Sequence, residues 1–108
     1  MPFFMHQWCY KDQQLKRLVM EGEDRSEVVR IAIEALGGKL HTFYYCFGRY
    51  DGVAISSFPD DKTALACLMT IFGEGRNQLV HTTVLVEPEI GYGAMKKAKE
   101  VATKPKGP

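Results

Sequence analysis

The sequence predicts an α+β fold in which a four-stranded antiparallel sheet carries two helices on one face, in the order β-α-β-β-α-β. Three observations predict it. Four short runs rich in aromatic and β-branched residues begin near Phe3, Leu40, Val53 and Leu79. Two stretches between them repeat apolar residues three and four positions apart, the spacing of one helix face. The link between the second and third runs is short, as an antiparallel hairpin requires. A right-handed crossover at each βαβ step then places both helices on the same side, which is the ferredoxin-like arrangement with strand order 4-1-3-2.

The elements follow in turn. From Phe3 to Tyr10 only His6 and Gln7 interrupt an apolar, aromatic run bounded by Lys11-Asp12, which reads as a first strand covered on both faces. Leu15, Leu18 and Val19, then Val29, Ala32, Ile33 and Leu36, line one side of a helix that pauses at Gly22. Asp24 with Glu27 three residues on has the form of a capping arrangement for its restart, and Gly37-Gly38 ends it. Leu40 to Phe47 and Val53 to Phe58 form the hairpin, whose Asp51-Gly52 suits a tight turn. Pro59 and Asp60 open a second helix with apolar positions Ala64, Leu65, Leu68, Met69 and Phe72, closed by Gly73 and Gly75. A fourth strand spans about Leu79 to Val86 and stops at Pro88. One or two helical turns at Ala94 to Ala98 precede a Lys-Pro-Lys-Gly-Pro end. Residues 1–98 thus read as one domain and residues 99–108 as a flexible basic tail.

The run Phe47-Gly48-Arg49-Tyr50-Asp51-Gly52-Val53-Ala54-Ile55-Ser56-Ser57-Phe58-Pro59-Asp60-Asp61 packs a tight turn, a strand and a helix start into fifteen residues. Its Gly48-Arg49-Tyr50-Asp51 core, followed by a strand of small and branched residues and Pro-Asp-Asp, resembles the signature of the GYD domain family of small bacterial proteins. That family has no settled biochemical activity. The resemblance, which runs from about Phe3 through Ala98, implies a dimeric α/β barrel in which two sheets pack face to face.

The strands themselves point the same way. Apolar or aromatic residues stand at both parities, Leu40, Tyr44 and Cys46 against Phe43, Tyr45 and Phe47, so the sheet face without helices is too hydrophobic to stand in water. A homodimer or higher oligomer would cover it.

Composition narrows the function. The 108 residues and 12.2 kDa are one domain's worth of chain, 45% hydrophobic and 25% charged. Folding a chain of this mass buries about 65% of its extended surface. Fourteen basic and thirteen acidic side chains leave a formal charge of +1, too little to hold a row of phosphates or an anionic membrane, so neither nucleic acid nor a membrane is an expected partner. Cys9, Cys46 and Cys67 cannot all pair within the chain and stand in no CxxC or CxxH spacing; a reducing, cytoplasmic location follows.

His6, His41 and His81 fall on three different predicted strands, with His6 and His81 on neighbours. A metal site would need all three on one face and adjacent rows, and no HxH or HxxE spacing supports it, so no metal is assigned. No cofactor motif is present either. His6 and Asp51 are the candidates for moving a proton, Asp51 standing beside a phenol at a strand-turn junction. Arg49 adds an anion contact. Trp8, Tyr44 and Tyr50 are the candidates for holding a small apolar or aromatic ligand, since each joins a large apolar ring to a strand or its turn, and Trp8 and Tyr50 also keep a polar handle. Each has a structural alternative: turn chemistry for Asp51, core or interface packing for the aromatics.

Three functional classes fit these residues. One is a homo-oligomeric small-molecule binding or sensing module with a pocket enclosed by aromatics at or near the dimer barrel. The second is a cofactor-free monooxygenase or isomerase of the dimeric α/β barrel type. The third is a structural or interaction protein.

Overall fold

The computed structural model describes residues 2–104. The chain runs β1 (Phe3–Tyr10), α1 (Asp12–Glu21), α2 (Arg25–Ala35), β2 (Lys39–Tyr45), β3 (Gly52–Ser57), α3 (Asp61–Phe72), β4 (Asn77–Leu85) and α4 (Pro88–Thr103). The four strands form one antiparallel sheet in the order β2-β3-β1-β4, the predicted order read from its other edge.

Strict alternation in β1 sets the two faces. Phe4, His6, Trp8 and Tyr10 are buried, while Phe3, Met5, Gln7 and Cys9 are half-buried on the other side. Coverage of both faces, as the apolar run suggested, is not what the chain achieves. All the buried residues of β1 lie on the face that α1, α2 and α3 cover. Two clusters fill that layer: Phe4, Ile33, Phe58, Ala64 and Cys67 toward one end of the sheet, and Trp8, Tyr10, Leu18 and Ala54 toward the other.

The predicted pause at Gly22 is a full break. Gly22 adopts the left-handed conformation (φ 66°) and donates to Leu18 O at 2.8 Å, ending α1. Asp24 then caps α2 by accepting from Ser26 N at 3.0 Å. Glu27, the other half of the expected capping arrangement, instead pairs with Arg30. Asp60 caps α3 through Thr63 N at 2.8 Å.

The helix faces differ from the apolar stripes read in the sequence. In α1 the buried residues are Gln14 and Leu18, whereas Leu15 and Val19 point outward. In α3 Ala64 and Cys67 are buried and Leu65 and Met69 exposed. An outer apolar row, Leu15, Val19, Leu65 and Met69, is thus left on the surface.

Pro88, read as the end of β4, is also the first residue of α4, where its fixed φ and missing N–H are compatible with a helix start. The helix continues for 16 residues, so residues 99–103, expected in the tail, are helical; residues 105–108 lie outside the described residues. No residue of α4 is buried. The helix projects from the body, stretching the molecule to 67 Å and giving a radius of gyration of 18.2 Å, against about 13 Å for a compact chain of this length.

Candidate functional site

A cavity of about 40 Å3 lies between the two core clusters, under α1, α2 and α3 and over the middle of β1. That is room for about three waters or a compact ligand. Val29, Ile33, Ile71 and the Trp8 ring make apolar walls; Gln14, Arg25, Arg76 and Asn77 supply polar groups.

Alternation in β1 aims His6 and Trp8 into this layer. His6 Nε2 lies 2.7 Å from Ser56 Oγ and Nδ1 3.1 Å from Thr82 Oγ1. Burial pulls its pKa from 6.5 to about 4, so the ring is neutral near pH 7, with one nitrogen donating to a hydroxyl and the other accepting. Trp8 packs against Phe43 (centroids 5.3 Å) and edge-on to Tyr10 (6.4 Å). Burial raises the Tyr10 phenol, partly offset by the Trp8 indole and the nearby Arg25 guanidinium. Burial pushes the Cys67 thiol up to about 11, which leaves it a poor nucleophile.

Two groups on this cavity stand out energetically. Gln14 is only 6% exposed, and its Nε2 has no hydrogen-bond partner, although its Oε1 accepts from Arg17 Nε at 3.2 Å. Asn77 Oδ1 is buried and equally unpartnered. Each orphan costs about 1–3 kcal/mol, and both belong to residues lining the same cavity. Arg25 is 7% exposed and is set in place by three contacts: Nη1 donates to Glu23 Oε1 at 3.2 Å, its backbone N–H to Tyr45 Oη at 3.0 Å, and Tyr45 in turn donates to the cap Asp24.

The remaining sequence candidates lie elsewhere. Asp51 holds the hairpin against β1: its Oδ2 accepts from Tyr10 N at 2.8 Å, its N–H donates to Trp8 O, and its carbonyl accepts from Cys46 N. In the same turn Gly48 takes a positive φ of 92°, and Gly52 leaves the space that the Trp8 ring occupies. The turn is thus the clamp that positions Trp8 from below. Removing the carboxylate in Asp51→Ala strands the Tyr10 N–H and is expected to lower stability by about 1–3 kcal/mol in urea denaturation, whereas Asp51→Asn, which can still accept, keeps most of it.

Tyr44 and Tyr50 are on the other side. Tyr44, opposite Val53, is 64% exposed on the helix-free face. Tyr50 Oη is 3.2 Å from His81 Nδ1, and His81 sits opposite Gln7 on that same face. His41, the extra residue of a bulge in β2, joins them there with its Nε2 2.8 Å from Ser57 Oγ. His6 and His81 are therefore on adjacent strands but opposite faces, and the three imidazoles do not converge. Among the described residues no group of three or more His, Cys, Asp or Glu could hold a metal ion, and no helix is long and apolar enough to cross a membrane.

Of the sequence candidates, His6 and Trp8 line this cavity, together with Gln14, Arg25, Arg76 and Asn77, which the sequence did not single out. The one available signal was the Gln14/Leu18 spacing of four, which puts a polar residue on the same helix row as a buried leucine.

Comparison with known proteins places this architecture. Among solved structures, the "crystal structure of FFRP-DM1" aligns with a TM-score of 0.53 and 18% identity over 80% of this chain and 100% of its own. An AsnC family transcriptional regulator from Agrobacterium tumefaciens aligns at 0.56 and 19% identity over 80% of this chain but 50% of its own. Hypothetical protein PHS023 from Pyrococcus horikoshii aligns at 0.51 and 15% identity, over 81% and 92%. These identities show a shared fold. No curated protein sequence matches the chain. The family model of the GYD domain matches residues 4–92, a span that takes in all of the sheet but Phe3, the three packed helices and the Gly48–Gly52 clamp, and the chain belongs to the GYD domain family.

Proposed function

We propose that the protein is a homo-oligomeric small-molecule binding or sensing module whose ligand sits in the cavity between helices and sheet. The observation that carries this reading is the pair of unpartnered amide groups, Gln14 Nε2 and Asn77 Oδ1, in two residues that line one largely apolar cavity. Orphaned buried polar atoms are rare in folded proteins because each costs so much, and a bound molecule that donates to one and accepts from the other removes both penalties.

Self-association is supported by the face without helices and by α4. The open face carries Phe3, Met5, Val53, Ile55, Leu79 and Leu85, interspersed with His41, His81 and threonines. A second copy packed sheet to sheet would bury this surface and form the dimeric α/β barrel. α4, which buries nothing in its own subunit and exposes Ile90, Met95 and Val101, is long enough to lie along a partner. The two structure neighbours with regulatory or hypothetical names lend no activity, but the AsnC family member is a regulator, in keeping with a sensing role. Three free cysteines suit a reducing cytoplasm.

The enzyme reading has weaker support. Both His6 nitrogens are held by hydroxyls, and Asp51 stands in the hairpin turn with Oδ2 on the Tyr10 N–H and does not line the cavity, so neither is a free base facing a molecule bound there.

Native mass spectrometry of the protein purified from its own host tests the proposal. A dimer, or a multiple of dimers, retaining a discrete small mass is the expected spectrum. A monomer, or an oligomer with nothing bound from any preparation, would contradict it.

A further inference from the structure

We propose that the ligand of this cavity is a small hydroxycarboxylic acid, bound as its anion. This rests on the reading of the cavity as a binding site and specifies the chemistry it selects. The lining contains two arginines, Arg25 and Arg76, and no aspartate or glutamate. Each arginine has one carboxylate neighbour outside the cavity, Glu23 at 3.2 Å and Glu74 at 3.4 Å, which leaves most of the five donors of each guanidinium uncommitted to these acids. Gln14 Nε2 adds a buried donor with no acceptor. A carboxylate satisfies these groups together, and charge-assisted hydrogen bonds of this kind are the strong ones.

Asn77 Oδ1 imposes the second requirement, since it must receive a hydrogen. A carboxylate alone cannot supply one. A hydroxyl next to the carboxylate can, and the remaining carbon atoms would meet Val29, Ile33 and Ile71. A cavity of about 40 Å3 restricts the acid to a compact one. Fatty acids and nucleotides are too large, and a simple cation is excluded by the two guanidinium groups.

The test is a titration of the full chain with glycolate and lactate, beside lactamide and 1,2-propanediol as neutral counterparts. It is followed by thermal shift and by the Gln14 side-chain amide resonances in 15N-labelled protein. The expected result is a rise in melting temperature and a displaced Gln14 amide with one or more of the acids and not with their neutral counterparts. Gln14→Leu should weaken that binding by about tenfold or more, yet raise the melting temperature of the ligand-free protein because it removes an orphaned donor. Arg25→Gln should weaken it similarly, and since Gln14→Leu keeps Arg25 and its ion pair, a folding defect in one variant does not spoil the other. Equal or stronger effects from lactamide or the diol would overturn the anion assignment while leaving the cavity a binding site. Acids that displace only resonances near Tyr44 and His41 would overturn both. No response to any probe would overturn the hydroxyacid assignment.

Discussion

Lowering the pH from 7 to 4 is expected to remove about 3 kcal/mol of stability through His6 alone, a large fraction of what a domain of this size has. The folded pKa of about 4 lies below the ordinary 6.5 because burial penalises the imidazolium, and no carboxylate faces the ring. Between those values the unfolded chain binds a proton that the folded chain refuses, so stability rises with pH across the window. The contribution is fully present above about pH 6.5 and is lost as pH falls through 4. A shift of 2.5 units at about 1.36 kcal/mol each gives the size. Burial alone accounts for the shift, and Tyr10 and Cys67, whose pKa values burial raises, stay neutral throughout. Glu23, Asp24, Glu27 and Asp60 all have pKa values held below the ordinary carboxylate range by hydrogen bonds, so their losses come at lower pH. Urea denaturation at half-unit steps from pH 7 to 4 should show the slope. In His6→Gln, which keeps polar atoms for Ser56 and Thr82, the slope should flatten; an unchanged slope in that variant would assign the acid sensitivity elsewhere.

The second large effect is expected from Gly52→Ala. A Cβ built at Gly52 falls 2.6 Å from Trp8 Cε2 and 3.0 Å from Nε1. Trp8 is itself packed against Phe43 and Tyr10 and buried, so the indole has no direction in which to yield without opening the second core cluster. Overpacking of this kind costs about 1–3 kcal/mol, here at the upper end because the obstacle is a ring held on both sides. A loss of about 3 kcal/mol would lower the melting temperature by about 15 °C. The same change should alter tryptophan fluorescence, since the chain has one tryptophan. Combining it with Trp8→Leu should restore part of the stability lost by Gly52→Ala, a coupling that only neighbours show. Additive losses would mean that the two residues do not meet.

Much of the fold was legible because alternation and glycine placement are local properties. β1 is bounded by Phe3 and Tyr10 as read, and strand order followed from handedness alone. The bulges were not legible. One extra residue at His41 reverses the parity of β2, so the sequence's alternation misassigns faces on one side of it. The other bulge, near Cys9 and Tyr10, places Asn77 rather than Gln78 opposite Tyr10, which brings Asn77 to the cavity. α4 was underread because Gly91 and Gly93 weaken helical propensity and Pro88 serves both to end a strand and to start a helix. The site was half visible. Aromatic character exposed Trp8, but a buried glutamine looks like any surface residue until its helix row is known.

On the proposed function, the space between helices and sheet, rather than the open face, receives the ligand. Two-dimensional 1H–15N spectra of the labelled protein, before and after addition of a small-molecule extract of its own host, test this most directly. Displacement of the Gln14 side-chain amide and the Trp8 indole N–H is expected, with Tyr44 and His41 unmoved. Displacement confined to Tyr44, His41 and their neighbours, or no displacement at all, would contradict it.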